Sequence, residues 1–228
     1  MIEEPKLLTI AREMRRPTAK QIAAFQGVPT GFVVDAMFGA GSLGTAISPI
    51  DGSDTQVAGP ALTCDNRATD LLATLGALKF VQGGDVILHG VQGHQGCAAA
   101  GDRVSGMLKN AGAVGLVTDG PMRDYAGVLE VGMPCWCTGL NPGSPYVKGP
   151  GRIGFGLSMG DGYAETGDMV VADRDGVVVV PFAQINAVAA RLPAIRDLEM
   201  SLDAEVRDGL SLPPSIAEIL DGDDVDYV

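Results

Sequence analysis

Twice in succession the chain runs from a helical pattern through a glycine stop into a short apolar strand. In "ATDLLATLGALKFVQGGDVILHG", from Ala68 to Gly90, the strand follows Gly83 and Gly84 and closes at His89. In "AAAGDRVSGMLKNAGAVGLVTDG", from Ala98 to Gly120, Gly112 ends the helix and "AVGLVTD" is the strand. Parallel neighbours need a crossover connection, usually a helix, so the repeated order predicts an α/β core with some parallel pairing.

The flanks extend that core. "PTAKQIAAFQGVPTGFVVDAMFGAG" predicts two short helices, the first ending near Gly27, the second capped by Thr30 and stopped by Gly39. "TQVAGPALTCD" reads as a strand interrupted by Gly59-Pro60, and "GMPCWCTGL" as another strand. From Asn141 to Gly162 glycine and proline are frequent, which predicts an extended loop with one short strand. "GDMVVADRDGVVVVP" sets two β-rich runs about an Asp-Arg-Asp-Gly turn, a hairpin signal. A helical pattern then runs from Phe182 to about Asp208, and the acidic tail "DGDDVDYV" is expected to be mobile. No internal repeat or linker separates two cores, so residues 1–228 read as one domain with a C-terminal helix and acidic tail.

Several function classes drop out. The formal net charge is −12, and the longest basic cluster is Arg12, Arg15 and Arg16, so no nucleic-acid footprint is expected. Four cysteines occur, and Cys135-Trp136-Cys137 is the one close pair; its spacing fits neither a disulfide framework nor a structural zinc site, and buried free thiols are expected. The start "MIEEPKLLTIAREMRR" lacks a signal-peptide pattern, and no run approaches the ~20 apolar residues of a membrane span, which predicts a cytoplasmic protein. "GLSMG", from Gly156 to Gly160, fits a nucleophile elbow, but both histidines, His89 and His94, precede Ser158. "GPGRIG" matches a dinucleotide motif, yet it neither follows a clear strand nor opens a helix. Asp173, Asp175 and Gly176 lack the remaining ligands of a calcium loop and read as a turn.

One constellation survives. Asp102 follows Gly101 at a helix start, where the amides around Arg103, Val104 and Ser105 are free donors suited to a carboxylate. The following strand delivers Arg123 and Asp124 to its carboxyl end, where ligands collect in open α/β sheets. Arg123 offers a planar fork for carboxylate or carbonyl oxygens. Asp102 and Asp124 offer hard oxygen ligands suited to Mg2+ or Mn2+. The competing reading is plain: Asp102 as a helix cap, and Arg123 with Asp124 as a surface ion pair. His94 sits in a glycine-rich loop just before the helix start and is a further candidate for substrate contact, whereas Arg67 and Asp70 read as surface charge and helix capping.

The order G-D, twenty residues, R-D, then "GMPCWCTGLNPGSPYVKGPGRIG" and "GDMVVADRDGVVVVP", resembles the RraA-like family. That family includes metal-dependent 4-hydroxy-4-methyl-2-oxoglutarate and 4-carboxy-4-hydroxy-2-oxoadipate aldolases, and RraA itself, the regulator of ribonuclease E. The likeness runs from "VVDAMFGAG" to the C-terminal helix. It implies a swivelling α/β/β/α domain in homotrimers or homohexamers, with active sites between subunits. It also implies Asp124 as metal ligand, Arg123 on the pyruvyl oxygens, and Asp102 acting through a metal-bound water. The amides after Gly101 would hold the substrate carboxylate. A glutamate from a neighbouring C-terminal helix completes the family site; Glu199 matches it best, with Asp197 and Glu205 as alternatives. RraA lacks the R-D pair that this chain keeps, which favours an enzyme.

The resemblance therefore implies retro-aldol cleavage of a 4-hydroxy-2-oxo acid to pyruvate, with oxaloacetate decarboxylation as a side activity. Asp102 and Glu199 would orient the water that takes the 4-hydroxyl proton. A Schiff-base aldolase needs a lysine in an apolar strand, and Lys6, Lys20, Lys79, Lys109 and Lys148 are not so placed. The segment after Asp124 departs from that of the best-known aldolases, so reaction class is better defined than substrate. The alternatives are a non-catalytic regulator binding a ribonuclease or helicase, and another metal-assisted lyase acting on a sugar-derived oxo acid.

Overall fold

The computed structural model describes residues 5–52, 54–226 and 228. The first four residues of the N-terminal stretch considered above lie outside the described residues. In chain order the elements are β1 (Leu8–Ile10), α1 (Ala19–Ala23), α2 (Thr30–Ala36), β2 (Ser48–Pro49), β3 (Val57–Asp65), α3 (Leu72–Ala77), β4 (Val86–Gly90), α4 (Asp102–Ala111) and β5 (Gly115–Thr118). They continue with α5 (Tyr125–Val131), β6 (Cys135–Cys137), β7 (Gly151–Ile153), β8 (Leu157–Met159), β9 (Gly162–Ala164), β10 (Met169–Asp173), β11 (Gly176–Val180), α6 (Ile185–Arg207) and α7 (Pro214–Leu220).

The two helix–strand repeats build the predicted parallel core: β3, β4, β5 and β6 lie side by side, each parallel to the next. Both faces of these strands are buried, and alternation sorts their side chains. Leu62, Ile87, Leu116, Cys135 and Cys137 pack toward the α3–α4–α5 side. Ala61, Val86, Leu88, Val117 and Trp136 face the opposite way, against Val170, Ala172, Val177 and Val179 of the β10–β11 hairpin. The hairpin's other face, Met169, Val171, Val178 and Val180, packs on residues of α2 and α6. Helices, sheet, hairpin layer and helices thus stack as α/β/β/α, the expected architecture.

The strand β3 is continuous, not interrupted at Gly59-Pro60. Residues 57–60 pair with β10 and residues 61–65 with β4, so the dipeptide falls where the strand changes partner. Pro60 has no ladder donor to lose there, and at Gly59 a β-carbon would collide with the Gly84 carbonyl oxygen. Thr30 is the first residue of α2 and Pro29 its N-cap; the threonine hydroxyl and amide both donate to Asp173 instead. The 141–162 region carries β7, β8 and the start of β9 rather than one short strand, and α5 and α7 were not expected from sequence. Gly112 is left-handed at φ 103 and ends α4 as anticipated. Cys64, Cys135 and Cys137 are buried free thiols, and burial pushes Cys64 and Cys135 up to about 12. Among the described residues no helix is long and apolar enough to cross a membrane.

Candidate active site

The crossover helix α4 and the loop after β5 meet where the sequence placed them. Ala100 pairs with Met122 in a parallel bridge, and the Arg123 amide donates to the Ala100 carbonyl at 3.0 Å. Those contacts hold the G-D start of α4 against the R-D pair. Gly101, Asp102, Arg103, Val104, Arg123 and Asp124 line one small cleft, about 40 Å³ in volume. Leu71 and Pro145 close its sides.

Gly101 decides how close the pieces come. A β-carbon there would lie 2.9 Å from Asp124 Oδ2 and 3.0 Å from Arg123 Cγ. Its backbone is extended (φ −148°), so the reason for glycine is room rather than conformation. Gly127 plays the same part for Asp102, whose Oδ2 would be 2.7 Å from a β-carbon at that position. Asp124 has φ 55° and ψ 44°, a left-handed conformation that Asp tolerates better than most residues. It starts α5 without capping it through its side chain, which leaves the carboxylate for the cleft.

Arg123 is held at two points: Nε lies 3.2 Å from Asp124 Oδ2, and an Nη nitrogen donates to Ser144 Oγ at 2.5 Å. The Arg123 and Asp124 side chains are 35% and 49% exposed, so the pair is open to a ligand and worth little as a stabilising bridge. Ser144 belongs to the strap from Asn141 to Gly149. Asp70 anchors that strap: its buried carboxylate accepts from Lys148 and Gly149 as well as from Leu72 at the start of α3. Asp70, one residue before the Leu71 N-cap, therefore satisfies the first amide of α3 and also fixes a wall of the cleft.

The amide cradle is smaller than expected. The Ser105 amide donates to the Gly101 carbonyl at 3.0 Å inside the helix, as does its hydroxyl, and Ser105 does not line the cleft. The Arg103 amide donates to Asp102 Oδ1 at 2.6 Å. Helical bonding begins at the fourth residue, which is why Ser105 is already satisfied. Glu199 lies on α6 and does not line the cleft of its own chain. His94 does not line it either; its ring folds back against Gly96.

The family model described as "RraA-like: Aldolase/RraA" matches residues 30–179. The chain belongs to the RraA-like family. It is 37% identical over 163 residues to a Halalkalibacterium halodurans protein provisionally named 4-hydroxy-4-methyl-2-oxoglutarate aldolase, covering 72% of this chain and 77% of that one. Streptomyces coelicolor RraAS2, described as an unusual member of the RNase ES inhibitor RraA family, is 26% identical with a TM-score of 0.69. That match covers 84% of this chain and 100% of the other. A crystallised protein of Pseudomonas syringae pv. tomato shares the fold at a TM-score of 0.75 and 23% identity, over 88% of this chain and 94% of that one.

On this RraA-like frame no group of three or more His, Cys, Asp or Glu able to hold a metal occurs among the described residues. The donor set at the cleft is two carboxylates, Asp102 and Asp124. Such a set fits a hard cation that keeps several waters and does not fit a tetrahedral zinc cage. A larger cavity, about 700 Å³, opens beside Asp65, Asp119, Gln95, Ser158 and Tyr163. It includes neither Arg123 nor Asp124. Asp119 there is committed to the Val91 and Gly93 amides, and burial raises its pKa. Ser158 lies on β8 in a hairpin, not at an elbow.

Two contributions escaped sequence reasoning, Ser144 behind Arg123 and Asp70 behind the strap. The available signal was a serine in the Pro-Gly segment "NPGSPYVKGP" and an acid at a helix start. Neither says which distant backbone it will meet.

Proposed function

We propose that this RraA-like protein is a lyase: a divalent-metal-dependent pyruvate aldolase acting on 4-hydroxy-2-oxo acids such as 4-hydroxy-4-methyl-2-oxoglutarate or 4-carboxy-4-hydroxy-2-oxoadipate. Oxaloacetate decarboxylation is its side reaction. The observation carrying this reading is the Arg123–Asp124 pair, seated against the bare Cα of Gly101 at the start of α4. The provisional name of the 37%-identical relative points the same way.

Both reactions pass through the enolate of pyruvate, so catalysis consists of stabilising charge that develops on the 2-oxo oxygen. Asp124, with Asp102 nearby, would hold Mg2+ or Mn2+, which supplies Lewis-acid polarisation of the oxo acid when bound. Arg123, steadied by Ser144, presents its guanidinium to the carboxylate and carbonyl oxygens of the pyruvyl unit. The Val104 amide, in the first turn of α4, is a donor for the same carboxylate. Asp102 orders the water that accepts the 4-hydroxyl proton.

The cleft's volume is near that of one or two waters, too small to enclose such a substrate. The remaining wall, including Glu199, is assigned to a second copy in a homotrimer or homohexamer.

The test is pyruvate release from oxaloacetate and from 4-hydroxy-4-methyl-2-oxoglutarate with Mg2+, with and without chelator. Wild type should turn over both, chelator should abolish turnover, and Asp124→Asn should lower it by at least a hundredfold. Turnover that survives chelation or Asp124→Asn would remove the assignment, as would none on a panel of such acids.

A further inference from the structure

At position 103 the backbone and the side chain differ in what they leave free for a ligand. The Arg103 amide is occupied by Asp102 Oδ1, so it is not a free donor to a ligand. The guanidinium is another matter. Arg103 is exposed at the cleft and, among the described residues, has no ion pair, side-chain hydrogen bond or ring contact.

Its placement is locally unfavourable. An arginine in the first turn of a helix faces the positive end of the helix dipole. Lys109, the cation at the other end of α4, sits where the dipole favours it and donates to the Val131 carbonyl. Arg123 is committed to Asp124 and Ser144, which leaves Arg103 as the uncommitted cation lining the cleft. The formal charges of Asp102 and Asp124 would be offset by one divalent ion, leaving two guanidiniums for the substrate.

On the aldolase reading above, we propose that Arg103 is a specificity-determining residue that binds the second carboxylate of a dianionic 2-oxo acid, selecting diacids over monoacids. Arg123 takes the pyruvyl end and Arg103 the distal end. A guanidinium matches a carboxylate in two-point geometry, which an ammonium does not reproduce.

The experiment compares wild type, Arg103→Met and Arg103→Lys on two substrates of equal chain length. 4-Hydroxy-2-oxoglutarate carries the second carboxylate; 4-hydroxy-2-oxopentanoate has a methyl group in its place. Arg103→Met should lower kcat/KM on the diacid by on the order of tenfold or more, mainly through KM, the size expected for a charged hydrogen bond. The monoacid should change by less than about twofold, and Arg103→Lys should recover part of the loss. Calorimetric titration with 2-oxoglutarate and 2-oxopentanoate in Mg2+ reads the same preference without turnover.

Equal effects on both acids, or none on either, would overturn the proposal. Turnover with a diacid preference independent of Arg103 would reject this role and leave the aldolase reading standing. No turnover, with 2-oxoglutarate binding weakened by Arg103→Met, would reject the aldolase reading and leave the carboxylate site. Methionine is a good helix former, so the variant should fold; Arg103→Lys keeps the comparison decisive if it does not.

Discussion

Gly101→Ala adds one methyl group at the point where α4 meets the R-D pair. The added carbon would sit 2.9 Å from Asp124 Oδ2 and 3.0 Å from Arg123 Cγ, where ordinary contact begins at 3.4 Å. The carboxylate must then retreat by 0.5 Å (3.4 − 2.9) and the arginine stem by 0.4 Å (3.4 − 3.0). Alanine accepts the extended backbone at this position, and Asp124 Oδ2 is the far end of a half-exposed side chain. The fold therefore loses little: about 1 kcal/mol, covering the poorer N-cap and the shifted side chains, or roughly 2–4 °C in Tm. On the aldolase reading, chemistry loses more. A 1 Å misplacement of a catalytic group costs about a hundredfold, so half that displacement should cost about tenfold in kcat/KM. The assay pairs pyruvate release from oxaloacetate at saturating Mg2+ with a thermal melt of the same sample. Activity within twofold of wild type would refute the geometric argument. A loss tracking a collapse in Tm would attribute the effect to unfolding instead.

Asp70→Ala removes the acceptor shared by the Leu72, Lys148 and Gly149 amides, and should cost about 2–4 kcal/mol in urea unfolding. Amide exchange should quicken from Tyr146 to Gly149; unchanged protection there would show that the strap holds itself. His89 is fully buried, with Nδ1 2.9 Å from Thr74 Oγ1 and Nε2 without a hydrogen-bond partner among the described residues, and burial lowers its pKa to about 4. The unfolded chain takes up this proton near pH 6.5, so stability is full above that and is lost as pH falls toward 4, by about 3 kcal/mol. His89→Leu should flatten the loss between pH 6.5 and 4 in urea titrations, and equal slopes would show that the folded protein accommodates the charged ring.

The layers were legible because local pattern dictates them. Helix, glycine and strand recur in an order that admits a crossover, and the β10–β11 runs are rich in valine about a polar turn. The meeting of Asp102 with Arg123 and Asp124 followed from the same unit, since one helix–strand step joins them. What local pattern lacks is partner choice. Gly59-Pro60 has the composition of a break, yet serves a strand that pairs on different sides along its length. Helix α5 was hidden because it begins on a left-handed aspartate with no side-chain cap and contains Gly127 in its first turn. The cradle was overestimated at Ser105 because the count of free amides stops one residue earlier than assumed.

The left-handed backbone at Asp124 also bears on how such a chain changes over generations. Few residues occupy φ 55° without strain, and the ones that do so readily are Asp, Asn and Gly. Selection at this position is thus confined to a short alphabet in which only one letter carries a charge. A single exchange of carboxylate for amide would keep the turn, the helix start and the fit against Gly101 while withdrawing the negative charge. On the aldolase reading, chemistry can therefore be switched off here far more easily than the fold can be lost, which makes this site a ready point of departure from enzyme to binding protein.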